Sequence, residues 1–434
     1  MKILVAGTGY VGLVTAVCLA EKGHDVTCFD VVEEKINMLK NGVSPIYEIG
    51  LEELMEKNKD KITYTTSKEE AYKDPEVIFI GVGTPEKPDG SANLDYVYSV
   101  ADDIAEYVNH DCLVVIKSTV PIGTNPKVEQ YLLKKMEDKN IRIETASNPE
   151  FLAQGTAVED TLNAQRIVIG THSSWAEELL REIYKDFNNS VLVSTNIASA
   201  EMIKYASNDF LALKISYINE IANLCESLGA DVEDVAYGMG LDKRIGNKFL
   251  KAGIGYGGSC FPKDTKALHW LANVNGIELK TVKAAIEVNE NQKLKLMKRL
   301  LEYYPKLDGL NVAVLGLAFK PGTDDLREAP SIPNIEYLLN SNAKIKAWDT
   351  VAANNFAKRF PEITYCDTID ETIKDADVCI IFTEWKEIKE YDINKYVELM
   401  KEPLILDGRN CYELKDVEGK GITYESIGRK KVTK

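Results

Sequence analysis

The sequence contains no run of the roughly 20 apolar residues that a membrane-spanning helix requires. Met1 and Lys2 lead directly into the apolar run of residues 3–6, so we expect no signal peptide. Basic residues are in the minority, because 52 Lys and Arg face 68 Asp and Glu and leave a formal net charge of −16. A chain of this charge is not expected to bind nucleic acid or an anionic membrane surface. These absences favour a soluble protein with other partners.

Cysteine motifs are also missing. The eight cysteines form no CxxC pair, and none has a histidine at the spacing of a metal site. This pattern predicts no metal site and a reducing, cytoplasmic environment. Most of the cysteines fall in apolar strand or helix patterns, as expected of core residues. Cys260, in a glycine-rich loop, is the exception.

The first part of the chain alternates apolar runs with helical patterns. A chain of 434 residues is too long for one ordinary core, so we expect two or three domains. The predicted strands are residues 3–6, 26–29, 77–82, 113–116, 142–146 and 167–169. Such alternation is typical of repeated βαβ units and a mainly parallel sheet. We assign this pattern to a first domain, residues 1–195.

Strand-like runs vanish between residues 196 and 301, where apolar residues recur at helical spacing, as in Phe210, Tyr217 and Leu224. We predict a helical central domain whose long helix is also a dimer surface. Strand patterns return in residues 302–434, and we expect the last six residues to be a frayed tail. The predicted fold class is α/β, with two Rossmann-like parallel-sheet domains joined by the helical domain.

A glycine fingerprint, GxGxxG, follows the first predicted strand and opens the first predicted helix. Gly7 allows a tight turn, Gly9 lets the backbone approach a pyrophosphate, and Gly12 permits close packing of helix on strand. Asp30 ends the second predicted strand, where a carboxylate can bind ribose hydroxyls and repel a 2′-phosphate. NAD is therefore favoured over NADP, and FAD, which uses a similar fingerprint, is the alternative.

A second glycine-rich segment, residues 255–264, contains the exceptional cysteine. Pro262 fits the first turn of a helix, so Cys260 lies just before a helix N-terminus, where the helix dipole favours a thiolate. Asp264 lies four residues further on, within reach of the same site as a base. An acidic residue in a first helical turn is also simply stabilising, so this reading of Asp264 stays open.

Four further residues place polar groups where ligands bind. Lys204 and Asn208 are four residues apart on one helix face, and both can donate hydrogen bonds to an oxygen that gains negative charge. Thr119 and Glu150 each follow a predicted strand, and open α/β sheets bind ligands at the carboxyl ends of their strands. Taken alone, Lys204 would more often be a solvated surface lysine.

Together these motifs resemble the UDP-glucose/GDP-mannose dehydrogenase family, and the match runs essentially end to end. It rests on the fingerprint, Lys204 and Asn208, and the segments 82–85, 118–121, 148–152, 257–264 and 319–327. The resemblance implies an NAD-dependent enzyme that oxidises a nucleotide sugar by four electrons, through a cysteine thiohemiacetal and a thioester that is hydrolysed. Its UDP-glucose branch is favoured, which implies UDP-glucose as substrate, UDP-glucuronate as product and a role in polysaccharide biosynthesis.

Residue by residue, the resemblance implies roles at matching positions. Cys260 is the nucleophile, Lys204 and Asn208 steady the oxyanion, Asp264 and Glu150 handle protons and water, and Thr119 orients water near the nicotinamide. The implied NAD contacts are Gly7, Gly9, Tyr10, Val11, Gly12, Asp30, Lys35, Thr84, Thr119, Gln154 and Arg327. The implied substrate contacts are Glu150, Phe151, Leu152, Lys204, Asn208, Arg244, Lys251, Tyr256, Gly257, Phe319, Lys320 and Arg409.

Two of these positions carry further consequences. Arg244 resembles a residue that the family supplies from the neighbouring subunit, which implies a homodimer. Gln154 stands where many relatives have glutamate, and glutamine cannot act as a base, so we expect only a binding contact there. The alternatives are GDP-mannose dehydrogenase, another nucleotide-sugar dehydrogenase such as one acting on UDP-N-acetylmannosamine, and an inactive nucleotide-sugar-binding protein.

Overall fold

The computed structural model describes residues 1–434. The chain divides into two compact units. The N-terminal unit consists of Met1–Ser207 and Lys266–Asn275, and the C-terminal unit of Asn208–Thr265 and Gly276–Lys434. Within the chain, no helix combines the length and the apolar character that crossing a membrane requires.

The N-terminal unit contains an eight-stranded sheet in the order β3-β2-β1-β4-β5-β6-β7-β8. Its strands are β1 (Lys2–Ala6), β2 (Asp25–Phe29), β3 (Ile62–Thr65), β4 (Val77–Ile80), β5 (Cys112–Ile116), β6 (Ile143–Ser147), β7 (Arg166–Gly170) and β8 (Val191–Thr195). Every neighbouring pair is parallel except β6 with β7. All residues of β4 and β5 are buried, as expected where helices cover both faces of a parallel sheet.

Helices connect these strands. They are α1 (Tyr10–Glu21), α2 (Glu33–Lys40), α3 (Leu51–Lys57), α4 (Lys68–Ala71), α5 (Asp95–Tyr107), α6 (Thr124–Lys135), α7 (Ala157–Leu162) and α8 (Ser174–Tyr184), with a 3₁₀ turn at Lys59–Lys61. The long helix α9 (Ile197–Leu228) begins in this unit and ends in the other. Since β1 lies between β2 and β4, the strand order reverses beside β1, which is where open α/β sheets bind ligands.

The C-terminal unit contains a six-stranded, wholly parallel sheet in the order β11-β10-β9-β12-β13-β14. Its strands are β9 (Asn311–Leu315), β10 (Lys344–Trp348), β11 (Thr364–Tyr365), β12 (Val378–Ile381), β13 (Leu404–Asp407) and β14 (Thr423–Glu425). This order repeats that of the first six strands of the other sheet. The predicted fold class is therefore confirmed.

Helices α10 (Val232–Gly240) and α11 (Phe261–Val274) follow α9, and no strand lies between β8 and β9. The remaining helices are α12 (Lys280–Lys293), α13 (Lys295–Tyr303), α14 (Ser331–Asn340), α15 (Ala353–Ala357), α16 (Ile369–Ile373), α17 (Lys386–Lys389), α18 (Asn394–Leu399) and α19 (Leu414–Val417). A central helical region thus separates the two sheets along the sequence, as predicted. The exact limits of the three predicted domains stay a prediction.

The prediction of a frayed C-terminal tail is wrong. Val432 pairs with Tyr424 through two backbone hydrogen bonds of 2.9 and 3.0 Å, next to strand β14. Arg429 is buried and donates to Ser426 Oγ at 2.8 Å and to the Tyr424 hydroxyl at 3.0 Å. The polar composition of the tail was misleading because its polar groups bond to the edge of the sheet.

Candidate active site

The glycine fingerprint forms a tight turn between β1 and α1. Gly7 has a φ of 100°, in the region that favours glycine. A Cβ on Gly12 would lie 1.9 Å from the carbonyl oxygen of Gly7, so any side chain there would push the helix off the strand. A Cβ on Gly9 would meet nothing within 4 Å. Gly9 stands at the N-cap position of α1, and no side chain caps the helix there. The helix N-terminus, with Tyr10 and Val11 in its first turn, is thus open to an anionic ligand.

Asp30 lies directly after β2 and is held by hydrogen bonds from two nearby loops. Its Oδ2 accepts from Thr8 N at 2.9 Å and from Thr8 Oγ1 at 2.7 Å, and its Oδ1 accepts from Val32 N at 3.0 Å. Burial opposes ionisation, but these hydrogen bonds and the Lys35 ammonium, 3.5 Å away, outweigh it and lower the pKa of Asp30. An ionised carboxylate beside the fingerprint fits the ribose hydroxyls of NAD.

The loops after β4 and β5 are tied together beside the fingerprint strand. Thr84 Oγ1 donates to the carbonyl oxygen of Thr119 at 2.8 Å, and Ser118 Oγ donates to that of Val82 at 2.6 Å. Both loops follow adjacent parallel strands, so Thr84 and Thr119 lie at the same edge of the sheet. The structure thus brings these two predicted cofactor contacts together.

Glu150 and Lys204 form a buried ion pair in the N-terminal unit. Their Oε1 and Nζ atoms are 2.8 Å apart, and each side chain is less than a tenth exposed. The second carboxylate oxygen of Glu150 accepts from the backbone N–H of Leu152 at 2.8 Å. The ring of Phe151 lies under the Lys204 ammonium, 5.5 Å from its centroid. Lys204 is therefore not a solvated surface lysine. Gln154 follows in the loop after Leu152, before α7.

Cys260 lies in the C-terminal unit, immediately before α11, and its side chain is exposed. The Ser259 hydroxyl is 3.7 Å from its sulfur. Asp264 lies in the first turn of α11 and is almost fully buried. Its carboxylate accepts from Asn208 Nδ2 at 2.7 Å and pairs with the Lys263 ammonium. Asn208 and Asp264, predicted to act on the same chemistry, are thus in direct contact.

Asp209 was missed by the sequence reasoning. It is 5% exposed, and neither of its carboxylate oxygens has a hydrogen-bond partner. Burial, together with the charge of Asp264, raises the pKa of Asp209 to about 8. Its position directly after Asn208 was visible in the sequence, but nothing there showed that the side chain is buried.

The glycines before Cys260 lie against other backbone of the C-terminal unit. A Cβ on Gly257 would lie 2.3 Å from the carbonyl oxygen of Glu328 and 3.1 Å from the Cβ of Phe319. Arg409 donates to the carbonyl oxygens of Gly255 at 3.0 Å and Phe319 at 3.3 Å. The structure therefore brings predicted substrate contacts from three separate segments together around this loop.

The remaining predicted substrate contacts of this unit differ in exposure. Tyr256 is buried, Lys251 is exposed, and the Lys320 ammonium lies 5.6 Å from the ring centroid of Phe319. Arg244 is 88% exposed and pairs with Asp242.

Arg327, a predicted NAD contact, belongs to the C-terminal unit, whereas the fingerprint belongs to the N-terminal one. Its guanidinium donates to both oxygens of the Asp325 carboxylate, from Nε at 2.9 and 3.1 Å and from a terminal nitrogen at 2.6 Å.

Three family models match the chain in sequence order. They are the NAD binding domain of the UDP-glucose/GDP-mannose dehydrogenase family over residues 1–188, its central domain over residues 198–291, and its UDP binding domain over residues 313–414. One curated relative, the UDP-glucose 6-dehydrogenase YwqF of Bacillus subtilis, is 48% identical over 100% of this chain and 98% of its own length.

Solved structures are similar along the whole chain as well. A UDP-glucose dehydrogenase from Pyrobaculum islandicum is 37% identical, with a TM-score of 0.90 over 96% of this chain and 95% of the other. A UDP-D-ManNAc dehydrogenase from Pyrococcus horikoshii is 29% identical, with a TM-score of 0.88 over 99% of each chain.

Proposed function

This chain belongs to the UDP-glucose/GDP-mannose dehydrogenase family, and we propose that it oxidises UDP-glucose to UDP-glucuronate with two NAD⁺. The observation that carries this proposal is the setting of Cys260, an exposed thiol in a glycine-rich loop at the start of α11. A helix N-terminus favours the thiolate, which is the nucleophilic form. The relatives named for UDP-glucose support this choice of sugar.

NAD is the cofactor of the family's NAD binding domain, and the residues of this chain fit it. The open space over Gly9 and the uncapped N-terminus of α1 suit a pyrophosphate, and the ionised Asp30 suits ribose hydroxyls. When bound, NAD⁺ accepts the hydride in each of the two oxidations. We propose Tyr10, Val11, Lys35, Thr84, Thr119, Gln154 and Arg327 as further contacts, together with Gly7 and Gly12.

The thiol of Cys260 explains how one enzyme completes two oxidations. After the first, the sugar C6 is an aldehyde, and the thiolate adds to it to give a thiohemiacetal. The second oxidation converts this adduct to a thioester, which water hydrolyses to the carboxylate and the free thiol. Lys204 and Asn208 donate hydrogen bonds to the substrate oxygen while it carries negative charge. The covalent bond keeps the aldehyde from leaving between the two oxidations.

Proton transfer falls to Asp264 and Glu150. Asp264 is buried four residues after Cys260, and we propose that it activates the water that attacks the thioester. Glu150 binds Lys204 in the resting enzyme, so its part is to hold that ammonium in place and to take up a proton, with Thr119 orienting water. Asn208 in turn fixes the Asp264 carboxylate.

The nucleotide sugar is bound by the segments around the cysteine loop. We propose that Arg409, Phe319 and Lys320, with Lys251, Tyr256 and Gly257, bind the UDP-sugar. The contacts of Arg409 to this loop and to Phe319 support this. We propose that Glu150, Phe151, Leu152, Lys204 and Asn208 also contact the sugar. The family's UDP binding domain, over residues 313–414, binds the UDP moiety.

We propose that the active unit is a homodimer to which Arg244 contributes in the neighbouring subunit. Arg244 is 88% exposed in the single chain, so its guanidinium is accessible to a second copy. The domains would be residues 1–195, 196–301 and 302–434. A cytoplasmic location accords with the eight scattered cysteines, which form no CxxC pair, since a reducing compartment disfavours disulfides.

The substrate is tested by the rate of NADH formation with different nucleotide sugars. We expect kcat/KM for UDP-glucose to exceed that for GDP-mannose and for UDP-N-acetylmannosamine by at least about 100-fold, a factor that a few polar contacts supply. The variant Asp264→Asn should lower kcat for UDP-glucose severely, because it removes the carboxylate that activates water. A preference for GDP-mannose would replace UDP-glucose as the substrate, and no NADH with any of the three would favour an inactive binding protein.

A further inference from the structure

Lys117 is a buried lysine that neither the sequence motifs nor the proposed mechanism uses. It follows β5 and is 7% exposed, whereas lysine is almost never fully buried without a partner. Its ammonium donates to the side-chain oxygen of Asn148 at 2.9 Å and to the Asn148 carbonyl oxygen at 3.3 Å. An ionised group in such a place carries a large desolvation cost, which calls for a functional reason.

The partners of Lys117 connect it to the Glu150–Lys204 ion pair. Asn148 comes two residues before Glu150 and is itself fixed: its Nδ2 donates to the Val168 carbonyl oxygen at 2.8 Å, and its Oδ1 accepts from the Tyr184 hydroxyl. The turn that presents Glu150 is therefore anchored on the Lys117 ammonium.

Three titratable groups, Cys18, Glu150 and Lys204, interact electrostatically with Lys117, and a fourth, Tyr184, bonds to its partner Asn148. Only two of the four are charged. Burial raises the pKa of Cys18 to about 12 and raises that of Tyr184 as well, so both are neutral near pH 7. Glu150 and Lys204 form the ion pair. With the Lys117 ammonium added, the cluster carries one net positive charge next to a residue assigned to the oxyanion.

We propose that Lys117 is a positioning residue that holds the Glu150 turn and gives the Glu150–Lys204 pair a net positive charge, which stabilises the negative charge that develops on the substrate oxygen. This inference rests on the proposed function, because it needs an oxyanion at Lys204. A charge placed in advance in a dry site stabilises a developing opposite charge without reorganisation.

The charge of Lys117 depends on pH in the range in which the enzyme is assayed. Burial lowers its pKa to about 8, although Glu150 opposes the shift. Below that pH the ammonium is present and the oxyanion is stabilised. As the pH rises through about 8 the charge is lost, so kcat falls.

The test compares Lys117→Gln with Lys117→Met in the full-length enzyme. Glutamine keeps a hydrogen-bond donor for Asn148 but removes the charge, whereas methionine removes both. We expect kcat for UDP-glucose to fall about tenfold or more in both variants. Their KM values should stay within about twofold of the wild-type value, and their kcat should show no decline near pH 8.

Lys139→Gln is the control. The Lys139 ammonium bonds to three backbone carbonyl oxygens in the same unit, away from the proposed site, and its removal should leave kcat unchanged. If Lys117→Gln keeps the wild-type kcat and pH profile, the role is structural only and the proposal is overturned.

A second measurement does not depend on the substrate or on the variants folding. In wild-type protein carrying [ε-¹³C]lysine, we expect one lysine resonance to titrate near pH 8, the pKa given by the buried setting of Lys117. If every lysine titrates above pH 10, the proposal fails. If wild type reduces NAD with GDP-mannose but not UDP-glucose, the proposed substrate fails alone, and the kcat comparison is made with GDP-mannose.

Discussion

Asp209 is a single residue whose carboxyl group resists ionisation at neutral pH. In the folded chain its carboxyl is buried, has no hydrogen-bond partner and lies near the charge of Asp264, so its pKa is raised to about 8. In the unfolded chain an aspartate ionises at about pH 3.9. Between these values the folded state holds a proton that the unfolded state has released, so stability falls as the pH rises from about 4 to about 8.

Asp209→Asn removes this dependence, since asparagine does not titrate. We expect the variant to gain thermal stability over the wild type, with a small gain at pH 5 and a larger one at pH 8, on the order of a few kcal/mol at most. Melting curves at several pH values and a fixed protein concentration measure it. Asp234→Asn, at an exposed position of α10, is the control and should follow the wild type. If the melting temperatures of Asp209→Asn and wild type change with pH in parallel, this explanation of the pH dependence is wrong.

The residues that could be predicted are those whose chemistry is local in sequence. Cys260 lies just before α11 and Asp264 lies in its first turn, and the contact of Asp264 with Asn208 joins two predicted motifs. Lys117 and Asp209 could not be predicted, because their burial depends on segments far away in the chain. A charged residue at the end of an apolar strand is the one sequence signal that pointed to Lys117.

At the scale of elements, predicted strands agree best where the sheet is covered on both faces. The buried strand β5 was predicted to within one residue, because an apolar run stands out. Strand β8 was missed: it lies at the edge of its sheet, its residues are exposed or half-buried, and its apolar run, residues 191–193, is short. A short run of this kind does not by itself distinguish an edge strand from a loop.

Helix α9 carries the prediction about assembly. Phe210, Tyr217 and Leu224 recur every seven residues and are 61%, 47% and 53% exposed, so they form an apolar stripe on the single chain. Such a stripe is typical of a helix that packs on another subunit. We expect a double variant, Tyr217→Glu with Leu224→Glu, to shift the protein from dimer to monomer in sedimentation experiments.

Val397→Glu is the matched control for that prediction. Val397 is a single exposed apolar residue of α18, 42% exposed, and scattered residues of this kind mark no interface. The control should therefore sediment as the wild type does. If the α9 variant is still a dimer at micromolar concentration, helix α9 is not part of the interface.

At the scale of the whole molecule, the order of a sheet unit, a helical region and a second sheet unit was predictable from the change in periodicity along the chain. The limits of the units were harder to predict, because helices α9 and α11 each contribute residues to both compact units. The C-terminal tail was mispredicted for a related reason, because its pairing with Tyr424 is a tertiary contact. The composition of a segment shows how polar it is, but it does not show what the segment packs against.

The central claim is that Cys260 couples two oxidations in one active site, and the yield of NADH per mole of UDP-glucose tests it most directly. We predict two NADH per sugar for the wild type, and a Cys260→Ser variant that does not complete the oxidation to UDP-glucuronate. Since the thiol is exposed, this exchange should leave the melting temperature unchanged. One NADH per sugar in the wild type, or two in the variant, would contradict the covalent mechanism.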